Sequence, residues 1–229
     1  MSERELEGKM ALVTGATGGI GPSICHELAE AGAAILVHGH TQLQAADALV
    51  RELDSCGVAA HAVCSDLTEP TSAEPLVSEV VDRLGGLDIV VNNAGVTLGG
   101  VGVEDTDPAD WLRVTDINLH SVFYVCRAAI PALRQRGGGC IVNVASNIVN
   151  SLPGGSAAYA TTKAGVVALT KVLSKEVAHE GIRVNALSPG LIAAGMGQGA
   201  IERRTVDQMG RFLESIPSRR PGTAREISA

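Results

Sequence analysis

Aromatic side chains are nearly missing from this sequence: two Phe, two Tyr and one Trp among 229 residues. Proteins that stack on single-stranded nucleic acid need such rings, so that class of partner is excluded. Cationic density is lacking too. The formal net charge is −7, and the 18 Lys and Arg are scattered, with no stripe able to neutralise a phosphate backbone or an anionic bilayer. No apolar run approaches the roughly 18 residues of a membrane span, and the charged opening MSERELEGKM lacks the apolar segment of a secretory signal. The expectation is a cytoplasmic protein with neither nucleic acid nor membrane as partner. Cysteines are few. Cys25, Cys56, Cys64, Cys126 and Cys140 are odd in number and without a close pair, which argues against a disulfide framework or a metal site and for buried, reduced thiols.

What is present is a globular balance, 45% hydrophobic and 19% charged residues, in a length that suits one α/β domain spanning 1–229. Short apolar runs bounded by Gly, Asn and Asp alternate with longer amphipathic stretches, the pattern of βαβ units feeding a parallel sheet. Strands are predicted at Met10–Thr14, Ala34–His38, Ala59–Cys64, Leu87–Asn92, Gly139–Val144 and Arg183–Leu187. Helices are predicted at Gly19–Ala31, Thr41–Ser55, Thr71–Leu84, Asp110–Arg136 and Ala157–Glu180, each long enough for a right-handed crossover. The expected fold is a single Rossmann-type, doubly wound parallel sheet of six strands.

The first strand runs into a glycine turn and a helix, MALVTGATGGIGPSICHELAEAG, with Gly15, Gly19 and Gly21 spaced at four and two. Glycines let the backbone turn tightly against a pyrophosphate, whose charge the free N–H groups and dipole of a helix N-terminus attract. The same spacing also occurs in turns that bind nothing. The next strand ends in Gly39 and His40 where NAD-binding sites place a carboxylate for the adenosine ribose. Nothing there repels a 2′-phosphate, and His40 with Thr41 can donate to one, which tips the choice toward NADP(H) over NAD(H). His38 and His40 read equally well as a strand end in solvent.

Further on, Tyr159 and Lys163 stand at i and i+4, on one helix face, so an ammonium lies near a phenol. A nearby cation favours the phenolate, making Tyr159 a candidate general acid for a carbonyl oxygen or base for an alcohol. Such a pair can also be a packed face with a snorkelling lysine. Ser146 follows the strand Gly139–Val144 at the carboxyl edge, where such sheets bind ligands, and can hold the substrate oxygen. Asn118 falls inside the long helix Asp110–Arg136, where it needs a partner: a catalytic one, or backbone groups that satisfy a buried amide.

In order and spacing, TGATGGIG (Thr14–Gly21), NNAG (Asn92–Gly95), IVNVASN with Ser146, YATTK with Tyr159 and Lys163, and VNALSPG (Val184–Gly190) resemble the short-chain dehydrogenase/reductase family, from Gly8 to about Ile227. The resemblance is greatest to its 3-oxoacyl-acyl-carrier-protein reductase-like branch. It implies an NAD(P)(H)-dependent oxidoreductase that reversibly reduces a small-molecule carbonyl to a secondary alcohol. It assigns Tyr159 as acid/base, Lys163 to the nicotinamide ribose and to tuning Tyr159, Ser146 to orienting the carbonyl, and Asn118 to holding a water in a proton relay. It implies cofactor contacts by Asp66 to adenine, by Asn92 and Gly95, and by Pro189 and Gly190 around the nicotinamide, with Thr17, Ile20, Leu67, Ala94 and Ile192 beside them. A homotetramer or homodimer is also implied, with the helices Asp110–Arg136 and Ala157–Glu180 in one interface.

The sequence departs from the family pattern at three points. Ala194 stands where the family places a threonine that bonds the carboxamide, and Pro22 where NADP-dependent members often carry a basic residue. The family's further helix and seventh strand fall beyond Ala229, so a missing tail or a shortened protein is expected, with Arg183–Leu187 as a sheet edge. The alternative function is a catalytically silent NAD(P)-binding sensor or scaffold on the same fold, or an α/β domain that binds no nucleotide at all.

Overall fold

The computed structural model describes residues 4–229. The first strand, β1 (Met10–Thr14), is buried on both faces, as an all-apolar MALV run demands, and occupies the middle of the sheet. Around it lie β2 (Ala34–Gly39), β3 (Ala60–Cys64), β4 (Ile89–Asn92), β5 (Gly139–Val144) and β6 (Ile182–Leu187), all parallel in the order β3-β2-β1-β4-β5-β6. Val13 sits in register with Val37 on one side and Val91 on the other. The order reverses at β1, and the crevice between the tips of β1 and β4 is where a doubly wound sheet takes its ligand.

Alternation along the strands sorts two cores. Ala11, Val13, Ile35 and Val37 face α1 (Gly21–Glu30) and α2 (Leu43–Asp54), meeting Ile24, Cys25, Ala46 and Leu49. Leu12, Leu36, Val90 and Ile141 face the opposite way. There they meet α3 (Ala73–Leu84), α5 (Ser121–Gln135) and α7 (Ala157–Glu176) through Leu76, Val125, Leu133, Val166 and Leu173. Ends are set by local chemistry. Pro22 sits in the first turn of α1, Asp107 caps α4 (Pro108–Thr115) by accepting from the Ala109 N–H at 2.8 Å, and Gly85 closes α3 in the left-handed region.

Several expectations are corrected. The predicted helix Asp110–Arg136 is α4 and α5 joined by a π-helical turn, Asp116–His120, centred on Asn118. The predicted helix Ala157–Glu180 ends at Glu176, followed by a 3₁₀ turn at Ala178–Glu180. The predicted strand Leu87–Asn92 starts at Ile89. Past β6 the chain forms α8 (Gly195–Glu202), α9 (Val206–Ser215) and α10 (Arg225–Ser228), with a short α6 (Ile148–Ser151) after β5. This last segment is held by tertiary contacts. Arg225 pairs with Glu27, Ser228 bonds Ser23 at 2.8 Å, and Ile192 bridges to Gly222. All five thiols are unpaired, but Cys56, Cys64 and Cys140 are only half buried. Among the described residues no helix is long and apolar enough to cross a membrane.

Candidate active site

The strand tips open into one cleft of about 1130 Å³. Its floor begins at the turn after β1. Gly15 has φ +59°, and a Cβ there would lie 2.7 Å from the Cα of Ala94, so only glycine lets the turn press against the loop after β4. Asn93 locks the same contact, donating through Nδ2 to the carbonyls of Thr14 and Gly15 at 3.1 and 2.8 Å. With that geometry, the N–H groups of Thr17, Gly19 and Ile20 have no acceptor among the described residues. They precede the N-terminus of α1 and form a cradle suited to a pyrophosphate.

His38 supports this turn from beneath and was not anticipated there. It is buried at the end of β2, only 2% exposed. Its Nδ1 accepts from the Gly15 N–H at 3.3 Å, and its Nε2 donates to the carbonyl of Ser65 at 3.1 Å, which fixes the neutral tautomer. Burial, reinforced by His40, pushes its pKa down to about 4, against the Ser65 hydrogen bond. Between the ordinary value of 6.5 and about 4 the unfolded chain binds a proton that the folded chain refuses, so stability falls as pH falls through that window. The loss expected from His38 is about 3 kcal/mol, at roughly 1.4 kcal/mol per pKa unit. His38→Asn keeps an acceptor near the Nδ1 position and should lose much less between pH 6.5 and 4. Thermal melts across that range check it, and parallel acid curves would overturn it.

At the tips of β2 and β3 His40 is well exposed, with Nε2 3.7 Å from Oδ2 of Asp66. Asp66 accepts from the backbone N–H of Thr68 at 2.9 Å and from its hydroxyl at 2.7 Å, and these bonds with His40 hold its carboxyl below the usual range. Leu67 forms the apolar wall beside it.

At the other end stand Ser146, Tyr159 and Lys163. Ser146 leaves the tip of β5 and accepts from the Ile148 N–H at 3.2 Å. Lys163, 2% exposed, donates from Nζ to the Val144 carbonyl at 2.7 Å, and that Nζ lies 5.8 Å from the centre of the Tyr159 ring. Burial takes its pKa down to about 8. Burial also raises the Tyr159 phenol, opposed by the Ser146 hydroxyl beside it. The expectation that the lysine would lower the phenol is not met here: burial raises it, and the group that opposes the rise is Ser146.

Of the residues singled out in the sequence, the cleft is lined by Gly15, Thr17, Gly19, Ile20, His38, His40, Asp66, Leu67, Ala94, Gly95, Ser146, Tyr159, Lys163, Pro189, Gly190, Ile192 and Ala194. Three lie behind its wall. Gly21 is a packing glycine, since a Cβ there would sit 2.6 Å from the Ala16 carbonyl oxygen. Asn92 points into the core between β4 and α5, donating to Oδ1 of Asn143 at 2.9 Å, and it is Asn93 that reaches the cleft. Asn118 is fully buried. Its Oδ1 accepts from the Val96 N–H at 2.8 Å, while its Nδ2 donates to the Val96 carbonyl at 2.9 Å and to Oγ1 of Thr162 at 3.2 Å. With both amide donors committed to protein, the side chain ties the loop after Gly95 to α7 and has none left for a water.

A phosphate cradle at the sheet's switch point, sharing one cleft with a hydroxyl, a phenol and a buried ammonium, is the equipment of an oxidoreductase that works with a nicotinamide dinucleotide. Residues 9–205 match the model of the family described as short chain dehydrogenase. The chain belongs to that family. It is 36% identical over 220 residues to the 3-oxoacyl-acyl-carrier-protein reductase FabG of Staphylococcus epidermidis, covering 96% of this chain and 88% of that one. Among solved structures, NAD+-bound xylitol dehydrogenase superposes with a TM-score of 0.92 at 32% identity, covering 98% of this chain and 90% of the other. The 7α-hydroxysteroid dehydrogenase complexed with NADH and 7-oxo glycochenodeoxycholic acid gives 0.90 at 30%, covering 99% and 86%.

Proposed function

We propose that residues 1–229 act as one dinucleotide-binding catalytic unit that reversibly reduces a small carbonyl compound to a secondary alcohol, with Tyr159 as general acid/base. The observation that carries this reading is the meeting of Ser146, Tyr159 and Lys163 in the cleft that begins at the free N–H groups of Thr17, Gly19 and Ile20. The residues present fit the cofactor. The turn would take its pyrophosphate, Asp66 and Leu67 its adenine, and Lys163, Pro189, Gly190 and Ile192 its nicotinamide half. When bound, the nicotinamide supplies or accepts the hydride. Ser146 donates a hydrogen bond to the carbonyl oxygen, and Tyr159, kept protonated at neutral pH by its burial, gives that oxygen a proton. Lys163, anchored on the Val144 carbonyl, holds the ribose beside them. Asn118 positions α7 and the Gly95–Val96 loop. A panel of ketones and β-ketoacyl thioesters, followed by NAD(P)H oxidation, tests the reading. Tight cofactor binding with no oxidation of it would leave a silent nucleotide sensor.

The cofactor reading is NADP(H), supported by the absence of an acidic residue at the end of β2 itself and by His40 there, although Asp66 from the end of β3 stands 3.7 Å from His40 and is also held by Thr68. NADPH should bind more tightly than NADH. His40→Ala should weaken NADPH by roughly three- to tenfold and leave NADH nearly unchanged, as expected for losing one exposed charge-assisted contact. Fluorescence titration of both cofactors checks this; a wild-type preference for NADH would remove His40 from the site. A homo-oligomer is supported by exposed Leu112, Phe123 and Val172 on α4, α5 and α7, 57%, 48% and 54% accessible.

A further inference from the structure

Resting on the carbonyl-reductase reading above, we infer its substrate class: an anionic, partly apolar carbonyl compound whose charged group is taken by Arg203 and Arg204. α8 begins against the glycine turn, so closely that a Cβ on Gly195 would lie 2.5 Å from the Cα of Gly19, and runs on with α9 to roof the cleft. The turn between them puts both arginines on the lining with Met196, Ala200 and Phe212.

Arg204 is half buried and built in place. Its Nη1 donates to the Ala200 carbonyl at 2.7 Å, and its Cζ lies 4.8 Å above the Phe212 ring. The ring contact and the Ala200 hydrogen bond hold the guanidinium in place and leave most of its five N–H donors free to bind an oxyanion. Neither arginine forms an ion pair among the described residues. The carboxylates on the lining, Asp66 and Asp116, stand beside His40 at 3.7 Å and His120 at 2.8 Å, and the third lining arginine, Arg113, is paired with Asp110 at 3.2 Å.

In a chain of net charge −7, one wall of the cleft thus carries two uncompensated guanidiniums. Their neighbours decide what kind of anion fits. Met196 is exposed, and with Ala200 and Phe212 it offers an apolar surface that a small, fully hydrated anion would not use. A ketone or secondary alcohol with a hydrocarbon stretch and a terminal carboxylate or phosphate ester satisfies both parts.

The test compares levulinate with its methyl ester, which present the same ketone with and without the charge. Both are assayed for reduction at low salt and titrated calorimetrically into protein loaded with oxidised cofactor. Levulinate should exceed the ester by about tenfold or more in kcat/KM and in affinity, with the advantage shrinking as salt is added. In the double variant Arg203→Gln, Arg204→Gln the ratio should fall to about one, while Arg204→Lys, which keeps the charge, retains part of it. Equal affinity for acid and ester in the wild type overturns the inference. So does a double variant that keeps the ratio and loses about tenfold in cofactor affinity, because the guanidiniums would then serve cofactor phosphates. A protein that binds the acid preferentially but reduces neither compound keeps the anion site and loses the reductase reading instead.

Discussion

Tyr159→Phe should lower kcat by about a thousandfold or more while leaving cofactor affinity within about twofold and the melting temperature within a few degrees. The magnitude follows from general-acid catalysis, worth roughly two to four orders of magnitude. The ring is half buried and stays, so packing changes little; what leaves is the one proton that the alkoxide needs. The pH dependence tells the same story from the other side. Burial raises the phenol above its ordinary value of 10.0 and the Ser146 hydroxyl only partly opposes it, so the residue is a proton donor throughout the neutral range. Carbonyl reduction should therefore change little with pH near neutrality, whereas alcohol oxidation, which needs the phenolate, should climb as pH rises toward the phenol's value. Turnover of the variant within tenfold of wild type, in either direction, would remove Tyr159 from the chemistry.

The parts of this site that could be read from the chain are those written in local spacing. Tyr159 and Lys163 are four apart on a helix, Ser146 follows a strand, and Gly15 and Gly19 sit between a buried strand and a helix; each relation survives without knowledge of what packs where. The strands were legible for a similar reason, since runs such as MALVT and AILVHG are buried on both faces and need no partner to announce themselves. His38 was not, because its role is made by Gly15 and Ser65, which come from two other segments. Asn92 and Asn93 were confused although alternation along β4 distinguishes them: Asn92 shares its face with Val90, which packs in the α5 core, so its neighbour is the one left to turn toward the cleft. The π turn around Asn118 carries no signal in residue type. It is visible only once Val96 and Thr162 are seen to claim that amide from two sides.

Lys163→Met should abolish activity to a similar degree and, unlike most active-site substitutions, should alter stability with a definite sign. The ammonium is buried with the Val144 carbonyl as its hydrogen-bond partner, and desolvation brings its pKa from 10.5 down to about 8. Below about pH 8 the folded protein carries the cost of a buried charge. Between about 8 and 10.5 the unfolded chain still holds a proton that the folded chain has released, so stability rises with pH over that interval. The rise due to Lys163 is about 3 kcal/mol, at roughly 1.4 kcal/mol per pKa unit. Buried Cys25 and Cys126 work in the opposite direction: their thiols are pushed from 9.0 up to about 12, so above pH 9 their ionisation favours the unfolded chain. The wild-type curve alone mixes these trends, but its difference from the Met variant cancels the cysteines and isolates the lysine. That difference, from melts of the cofactor-free protein at pH 7 to 10.5, should grow in favour of wild type as pH rises, from near zero or a slight advantage for Met at pH 7. Parallel curves would mean that the ammonium is not buried in charged form, and would take with them the argument that a costly charge is kept beside Val144 for the sake of the cleft.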